Sequence, residues 1–537
     1  MRRMLSFLLI TGWVASLIAQ SLPLPVFHEY RNTIRDKKEL TFIGYYLVRH
    51  EMINVAPKNE FFKGQVVGRL FGGNSTFTMG SGNSNFTEQR ILGMMSYSPR
   101  LFDGWLRMRM SFEIDWTWGD ANYGAGGNFG GGFGADFVNM QTQNLFVEFH
   151  PNKQWYVNAG LLRLYDNNNV PMYTGTDVLL NTGYRLALWG SDATGVEFHY
   201  APTTYRRLKW GAYQLYENNV NQNDDVILYE LDMVQDLSIK TTAGMSAYYL
   251  VDDGSSQQSS GEGGVSIYNQ GLNSGLAGYN GVFKMNLADQ ETYRGRIGWL
   301  GTHFDHDPLL EQGRFGYSGF AWYNFGTIST SGAATDSSTS PITVHSPRDI
   351  SIGGFASNLR LAYKYGKNPN DNVTLDGFFV SGDDNNVDDN KYSGVLTGNN
   401  WTSPGAVFFG TGLDLLLPHG DVVNRYYAAT IDLQNMGLGL IAGIGKISYD
   451  LIPHKLRLQS AVGYAISPVA PQNGGHNMGF EKNIAIFYTP RVFLNLEFHL
   501  AHLSLGDFYD SPVTNGGITG RPTNPWTGIV LLKWIMF

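Results

Sequence analysis

Residues 104–118 read GWLRMRMSFEIDWTW, and from Leu106 onward apolar and polar side chains alternate without a break. Because successive Cβ atoms of a strand point to opposite faces, a period of two predicts a strand with one apolar and one polar face. The polar face carries four charges, and the apolar face ends in two tryptophans, where a strand crossing a bilayer would meet the headgroups. The charged positions are Arg107, Arg109, Glu113 and Asp115, and the aromatic pair is Trp116 and Trp118.

The first residues are typical of a secretory signal peptide. Residues 1–19 contain Arg2 and Arg3, then an apolar run that ends at Ala19, a plausible cleavage position. We expect a short periplasmic segment to follow at residues 20–39. The chain has no cysteine, which excludes disulfides and cysteine-ligated metals.

Composition narrows the class of protein further. The chain has 65 Gly, 30 Tyr, 32 Phe and 12 Trp, yet no run of 18 apolar residues follows the signal, which argues against a helical membrane protein. A net charge of −8 without a basic run gives no basis for nucleic-acid binding.

The same alternation returns along the whole chain, in about 18 segments of roughly 9 to 14 residues, the length of a membrane-crossing strand. The connections between these segments alternate between short turns and long loops, and notable long loops are at 251–290, 328–350 and 382–435. An even count places both chain ends at the short-turn end. Closure removes the exposed edges of so large a sheet. The sequence therefore predicts an all-β fold, a closed antiparallel transmembrane β-barrel spanning residues 40–537 as one domain.

Most strands keep one apolar face. Residues 437–445 and 155–163 alternate less cleanly, which suggests bulges. The last strand, counted back from Phe537 as lipid-facing, places Lys533 on the lipid side, where its ammonium would snorkel. A soluble secreted sandwich or propeller remains a remote alternative.

The polar faces predict a water-accessible lumen, and its charges suggest two hypotheses. If the short turns lie in the periplasm, basic residues collect at the periplasmic half. They could pair with nearby acids and stiffen the wall, or form a positive inner mouth that attracts an anionic solute. The predicted lumen residues are Arg90, Arg107, Arg109, Glu113, Asp115, Arg207, Lys209, Lys240, Arg294, Arg296, Arg360, Lys364 and Arg457. Trp116, Trp118 and Phe537 are predicted to form the membrane girdle.

Three motifs resemble the alginate-export type of bacterial outer-membrane porins. They are GLLRLYDNN at 160–168, GDDNNVDDNKYSG at 382–394, and the terminal strand that ends in Phe537. The resemblance spans most of the mature chain. It implies an 18-stranded barrel with an arginine-rich conduit for an anionic polysaccharide.

Other chemistry is sparse, and we predict no cofactor and no enzymatic activity. Asp383, Asp384, Asp388 and Asp389 are weak calcium candidates, because the loop lacks the glycine and the distal glutamate of an EF-hand. No local signature selects a Ser–His pair. Residues 382–435, which contain the apolar LDLLLP segment, are the best candidate for a loop folded into the pore.

We therefore expect a porin in the outer membrane of a Gram-negative-type bacterium that passes hydrophilic solutes through a charged lumen, with anionic solutes, polysaccharide-like or small, as one candidate class. A structural or adhesive barrel whose long loops bind a partner is the alternative. The expected partners are outer-membrane lipid and lipopolysaccharide, the barrel-assembly machinery and the hydrophilic solute.

Overall fold

The computed structural model describes residues 39–57, 66–71, 76–118, 140–152, 154–165, 190–216, 225–253, 292–331, 347–384, 387–396, 406–421, 423, 425–431 and 433–536. The predicted signal peptide, Phe537 and most of the loop at 251–290 lie outside these residues. Within them, no helix is long and apolar enough to cross a membrane.

Eighteen strands form the barrel wall, and most of them fall on segments that alternate in sequence. They are β1 (Leu40–Ile53), β2 (Ser84–Tyr97), β3 (Leu106–Thr117), β4 (Met140–Phe149), β5 (Trp155–Tyr165), β6 (Gly190–Thr203), β7 (Arg206–Tyr216), β8 (Val226–Asp236), β9 (Thr241–Asp252), β10 (Thr292–His306), β11 (Phe315–Ser331), β12 (Arg348–Lys364), β13 (Asn372–Val380), β14 (Leu440–Ile452), β15 (Leu456–Ile466), β16 (Asn477–Arg491), β17 (Leu494–Leu505) and β18 (Trp526–Met536).

The strands close into a ring. Each pairs antiparallel with its neighbour in sequence, and β18 returns to pair antiparallel with β1, from Gly44↔Met536 to Ile53↔Thr527. Closure satisfies the backbone groups that an edge strand would leave open. The predicted closed antiparallel barrel of 18 strands is confirmed.

The two ends of the barrel differ as the sequence predicts. One end carries short turns, such as the one between Thr203 and Arg206, and both termini of the ring, Leu40 and Met536. The other end carries the long connections. β11 continues to Ser331 and β12 begins at Arg348, so the strands extend into the loop predicted at 328–350.

Large apolar side chains cover the outer face of the ring. On β17, Phe498 and Leu500 are exposed outside, whereas Glu497 and His499 are buried inside, as the alternation predicts. A band of exposed apolar side chains around a closed sheet is suited to hydrocarbon. The ring is therefore a transmembrane barrel.

Short strands within the long connections pair with one another. Val66–Arg69 runs parallel to Arg425–Ala428, and Val55–Pro57 pairs antiparallel with Thr76–Thr78. Lys391–Tyr392 adds a two-residue parallel pairing to β12. These pairings show that the connections fold against one another and against the wall.

The bulges predicted at 437–445 and 155–163 are wrong. The register of β14 shifts only between Asp450 and Ile452, and β5 pairs with both neighbours without a shift. In β14 the alternation fails for another reason. Leu440 and Ile444 face inward and belong to an apolar cluster with leucines of the connection after β13, so both faces of the strand are apolar.

The predicted lipid-facing position of Lys533 is also wrong. Val530 and Trp534 are the exposed outer residues of β18, while Leu531 and Lys533 are buried on the inner face. The inner face is largely apolar because it packs against Val423 of the long connection. Alternation alone could not separate the two faces of such a strand.

Candidate functional site

Ion pairs line the inner wall near the short-turn end, on β3 and β4. Arg107 Nη1 lies 3.4 Å from Glu148 Oε1, and Arg109 Nε lies 2.9 Å from Glu148 Oε2. His150 Nε2 contacts the same carboxylate at 2.6 Å. The three basic side chains converge on Glu148 because the pairing of β3 with β4 places Arg107 directly opposite Glu148. One carboxylate thus serves both predicted arginines.

A second group of pairs lies on β6, β7 and β8. Arg207 Nη2 is 2.7 Å from Asp236 Oδ1, and Lys209 Nζ is 2.6 Å from Glu230 Oε1 and 3.2 Å from Asp232 Oδ2. The Tyr213 hydroxyl contacts the carboxylates of both Glu197 and Glu230. Lys209 and its two acids are buried, so their charges are compensated by one another within the wall.

The remaining predicted bases also have acceptors. Arg360 Nε donates to both carboxylate oxygens of Asp376, its partner across β12 and β13. Arg457 donates to Asn370 Oδ1 and lies over the Phe487 ring at 3.9 Å. The others bond to backbone carbonyls: Lys364 to Leu310 O, Lys240 to Gln312 O, and Arg90 to Val423 O.

These contacts bear on the two hypotheses for the basic residues. Arg107, Arg109, Arg207, Lys209 and Arg360 each lie beside a carboxylate, which is the arrangement of the wall-stiffening hypothesis. Lys240 lies in the turn before β9 and bonds to the next turn, so it is not a strand residue. An anion-attracting mouth stays a prediction.

The lumen is not empty, because the connection between β13 and β14 folds into it. We call the described residues of 406–435 the lumenal segment. It contains a 3-10 turn, Ala406–Thr411, followed by Leu413, Leu415, Leu416 and Leu417, all of which are buried. The sequence named residues 382–435 as the best candidate for a folded-in loop, and the described part of that connection has these contacts inside the barrel.

Polar groups of β16 hold the lumenal segment to the wall. The Glu481 carboxylate accepts hydrogen bonds from the backbone N–H groups of Asp414, Leu415 and Leu416. Two positions along, Asn483 Nδ2 donates to Gly412 O and to Asp414 Oδ2. Backbone donors that burial would otherwise leave unsatisfied are thus paired with an inward-facing carboxylate.

A second anchor joins the segment to β17 and β18. Lys533 Nζ forms ion pairs with Asp421 of the segment and with Glu497 of the wall, the latter at 2.8 Å. His499 lies between Glu497 Oε2 at 3.2 Å and Asp414 Oδ1 at 3.6 Å. All of these side chains are buried.

His419 completes this anchor in its neutral form. Burial, and then the charge of His499, lowers the pKa of His419 to about 3. Its Nδ1 accepts a hydrogen bond from the Asp421 N–H at 3.0 Å. In a neutral imidazole the proton then lies on Nε2, which faces Asp414 Oδ1 at 3.7 Å.

Two groups in this anchor have the spacing of metal ligands: Asp414, His419 and His499, and His419, Asp421 and Glu497. We assign no metal there. Lys533 already supplies a positive charge to the carboxylates, and the Asp421 N–H occupies the free nitrogen of His419. Asp383, Asp384, Asp388 and Asp389, the weak calcium candidates, form no such group within the described part of the chain.

Asp383 has a local structural contact instead. Its Oδ1 accepts hydrogen bonds from the backbone N–H and the hydroxyl of Ser393, at 2.8 and 2.9 Å. Burial raises the pKa of Asp383, and its neighbours Asp384 and Asp389 raise it further. The carboxylate therefore orders the loop after β13.

The prediction that Arg294 and Arg296 line the lumen is wrong. They share a face of β10 with Leu300, which is exposed outside, whereas Ile297 and Trp299 are buried inside. Trp299 Nε1 donates to Leu396 O of the folded-in connection, so an aromatic side chain takes the inner face here. Polarity misassigns the face where a strand extends beyond the hydrocarbon.

The girdle prediction is only partly described. Trp118 is exposed after β3, and its Nε1 donates to Gln89 Oε1 of β2. Glu113, Asp115 and Trp116 lie in β3, and their side chains are outside the described part of the structure. Sequence reasoning missed Glu481 and Asp421 and put Lys533 on the other face of its strand. Glu481 lies on the inner face of β16 between the outward Phe480 and Lys482, and no local pattern singles it out.

The closed ring of strands, with an apolar exterior and a charged interior, defines a transmembrane β-barrel. No protein-family model and no curated protein matches the sequence. Similar solved structures include OpdL of Pseudomonas aeruginosa, at 9% identity and a TM-score of 0.45, covering 93% of this chain and 99% of that one. OccAB4 of Acinetobacter baumannii has 9% sequence identity and a TM-score of 0.44, and the match covers 94% of this chain and 100% of that one. The outer membrane protein opdK of P. aeruginosa has 10% sequence identity and a TM-score of 0.45, and the match covers 92% of this chain and 98% of that one. The barrel assignment rests on this chain's own strand pairing.

Proposed function

We propose that the chain is an outer-membrane channel for hydrophilic solutes. The observation that carries this proposal is the closed ring of 18 strands, apolar outside and charged inside. A barrel of this size encloses more space than its wall side chains can fill, so water and small solutes can enter. Closed barrels of this type are found in outer membranes, which gives the cellular location and implies insertion by the barrel-assembly machinery.

The lumenal segment supports a narrow channel over an open one. Its leucines and the 3-10 turn occupy part of the cross-section beside β14, β15 and β16. Small polar solutes fit such a pore better than a polymer does. The proposed role is passive passage, without catalysis.

An anionic cargo is a finer proposal. The sequence resemblance implies an anionic polysaccharide, and the bases at the short-turn end favour negative solutes. Their pairing with Glu148, Asp236 and Glu230 weakens that preference, because each paired cation offers little net potential to a solute. We therefore favour small solutes over alginate, with at most weak anion selectivity.

Single-channel conductance in planar bilayers tests the channel proposal. The purified full chain should give discrete steps in KCl, with reversal potentials in a KCl gradient reporting selectivity. The control is the same protein heated until its heat-modifiable gel migration shows that the barrel is unfolded. A folded barrel that gives no steps would favour the alternative, a structural or adhesive barrel whose long loops bind a partner.

A further inference from the structure

Arg294 and Arg296 form an exposed basic pair on the outer surface of the barrel. Their side chains are 60% and 42% exposed. In the β10–β11 register they lie opposite Ser329 and Thr327, without any shift between the strands. The next outward-facing residue along β10, toward the short-turn end, is Gly298. It lies opposite Phe325, which is exposed on the membrane side.

The pair lies just beyond the outer edge of the apolar band. Phe325, Tyr323 and Leu300 mark that band, and the arginines follow it toward the long-loop end. His306, at the short-turn end of the same strand, is ten residues from Arg296. A strand tilted in a barrel wall covers roughly 25 Å of height over that length, which is about the height of the apolar band. The guanidinium groups are therefore at the level of the outer-leaflet headgroups.

A single carboxylate holds the two guanidinium groups together. Arg296 Nη2 donates to both Asp253 oxygens, at 2.9 and 3.0 Å, and Arg294 Nε lies 3.5 Å from Asp253 Oδ1. Among the described residues in contact here, two cations and one anion leave net positive charge. The Arg294 side chain contacts Asp253 through Nε and stays 60% exposed, so Asp253 orients the pair without neutralising it.

We propose that Arg294 and Arg296 bind the phosphate groups of lipopolysaccharide in the outer leaflet. Guanidinium forks match phosphate oxygens in bidentate geometry, and a headgroup beside an exposed aromatic residue supplies both the charge and the apolar contact. The inference rests on the proposed outer-membrane location, because the long-loop end then faces the lipopolysaccharide leaflet. It does not depend on whether the lumen conducts.

The test measures binding of fluorescently labelled lipopolysaccharide to the full chain in detergent. The R294Q/R296Q double variant should bind about tenfold more weakly, since it loses charge-assisted hydrogen bonds. The matched control is R206Q. Arg206 lies on the outer face at the opposite, short-turn end, where it bonds to Gln235, and its loss should leave affinity unchanged.

Two further arms identify the ligand. Lipopolysaccharide stripped of its phosphates should bind wild type as weakly as intact lipopolysaccharide binds the double variant, and millimolar inorganic phosphate should compete poorly. Asp253→Asn, which removes the competing carboxylate, should tighten binding.

Equal affinity of wild type and R294Q/R296Q would overturn the proposal, as would strong competition by inorganic phosphate. Loss of conductance with intact lipopolysaccharide binding would contradict the channel proposal alone.

Discussion

The Glu481 carboxylate on β16 accepts a hydrogen bond from the backbone N–H of Leu415, at 3.0 Å, across 66 residues of sequence. The two N–H groups before and after Leu415 in this turn, those of Asp414 and Leu416, bond to the same carboxylate. The wall thus fixes the backbone of the lumenal segment, and not only its side chains. We expect this contact to control how much of the lumen stays open.

We expect Glu481→Ala to widen the pore. The change leaves three buried N–H groups without an acceptor, and each such group costs about 1–3 kcal/mol. The lumenal segment should detach, and the single-channel conductance should rise. Glu311→Ala, in an exposed turn, is the control and should conduct like wild type. An unchanged conductance in Glu481→Ala would mean that the segment does not limit ion flow.

Lys533→Met should destabilise the barrel. It leaves the Asp421 and Glu497 carboxylates buried without their ammonium partner, and breaking such a pair costs roughly 3–5 kcal/mol. The temperature at which the heat-modifiable band shifts should therefore fall. Adding Asp421→Asn to the Lys533→Met variant should restore part of the lost transition temperature. Lys482→Met, at an exposed outward position of β16, serves as the control. A Lys533→Met variant that unfolds at the wild-type temperature would rule out a stabilising role for the Lys533 ion pairs.

Acid should loosen the lumenal segment through His419. Burial, with a further contribution from His499, lowers the pKa of His419 to about 3, whereas a displaced imidazole titrates near 6.5. The displaced state therefore binds the proton first, so the stability of the packed segment is complete above about 6.5 and is lost progressively as pH falls toward about 3.

Channel recordings check this pH dependence. Open-level fluctuations should increase between pH 7.5 and pH 4.5 in wild type, and increase less in His419→Gln, which cannot gain the proton. If both proteins respond equally to pH, other titrating groups control the segment.

Charge removal at the short-turn end should shift selectivity toward cations. The combined change of Arg107, Arg109, Arg207 and Lys209 to Gln leaves the partner acids Glu148, Asp236, Glu230 and Asp232 without their cations. The reversal potential in a KCl gradient should move in the cation-selective direction. Adding Asp236→Asn and Glu148→Gln to the same chain should move it back. No shift in the quadruple variant would show that this end does not influence ion selectivity.

The fold was accessible from sequence because its signals are local. The period of two in residues 104–118 and in β17 separates an apolar from a polar face within one strand, and turn length separates the two ends of the barrel. Neither signal requires knowledge of distant residues. The same local signals put Arg107, Arg207 and Arg360 on the polar face, and in the structure each lies beside a carboxylate of the wall.

Tertiary structure decided what fills and what surrounds the ring. Lys533 was assigned to the wrong face because β18 is largely apolar on both, and only packing against Val423 separates them. Arg294 and Arg296 were assigned to the lumen because a polar residue past the hydrocarbon faces water on either side. The pairing of Lys533 with Asp421 joins residues 112 positions apart, and such a contact follows from barrel closure and loop packing, which no local pattern encodes.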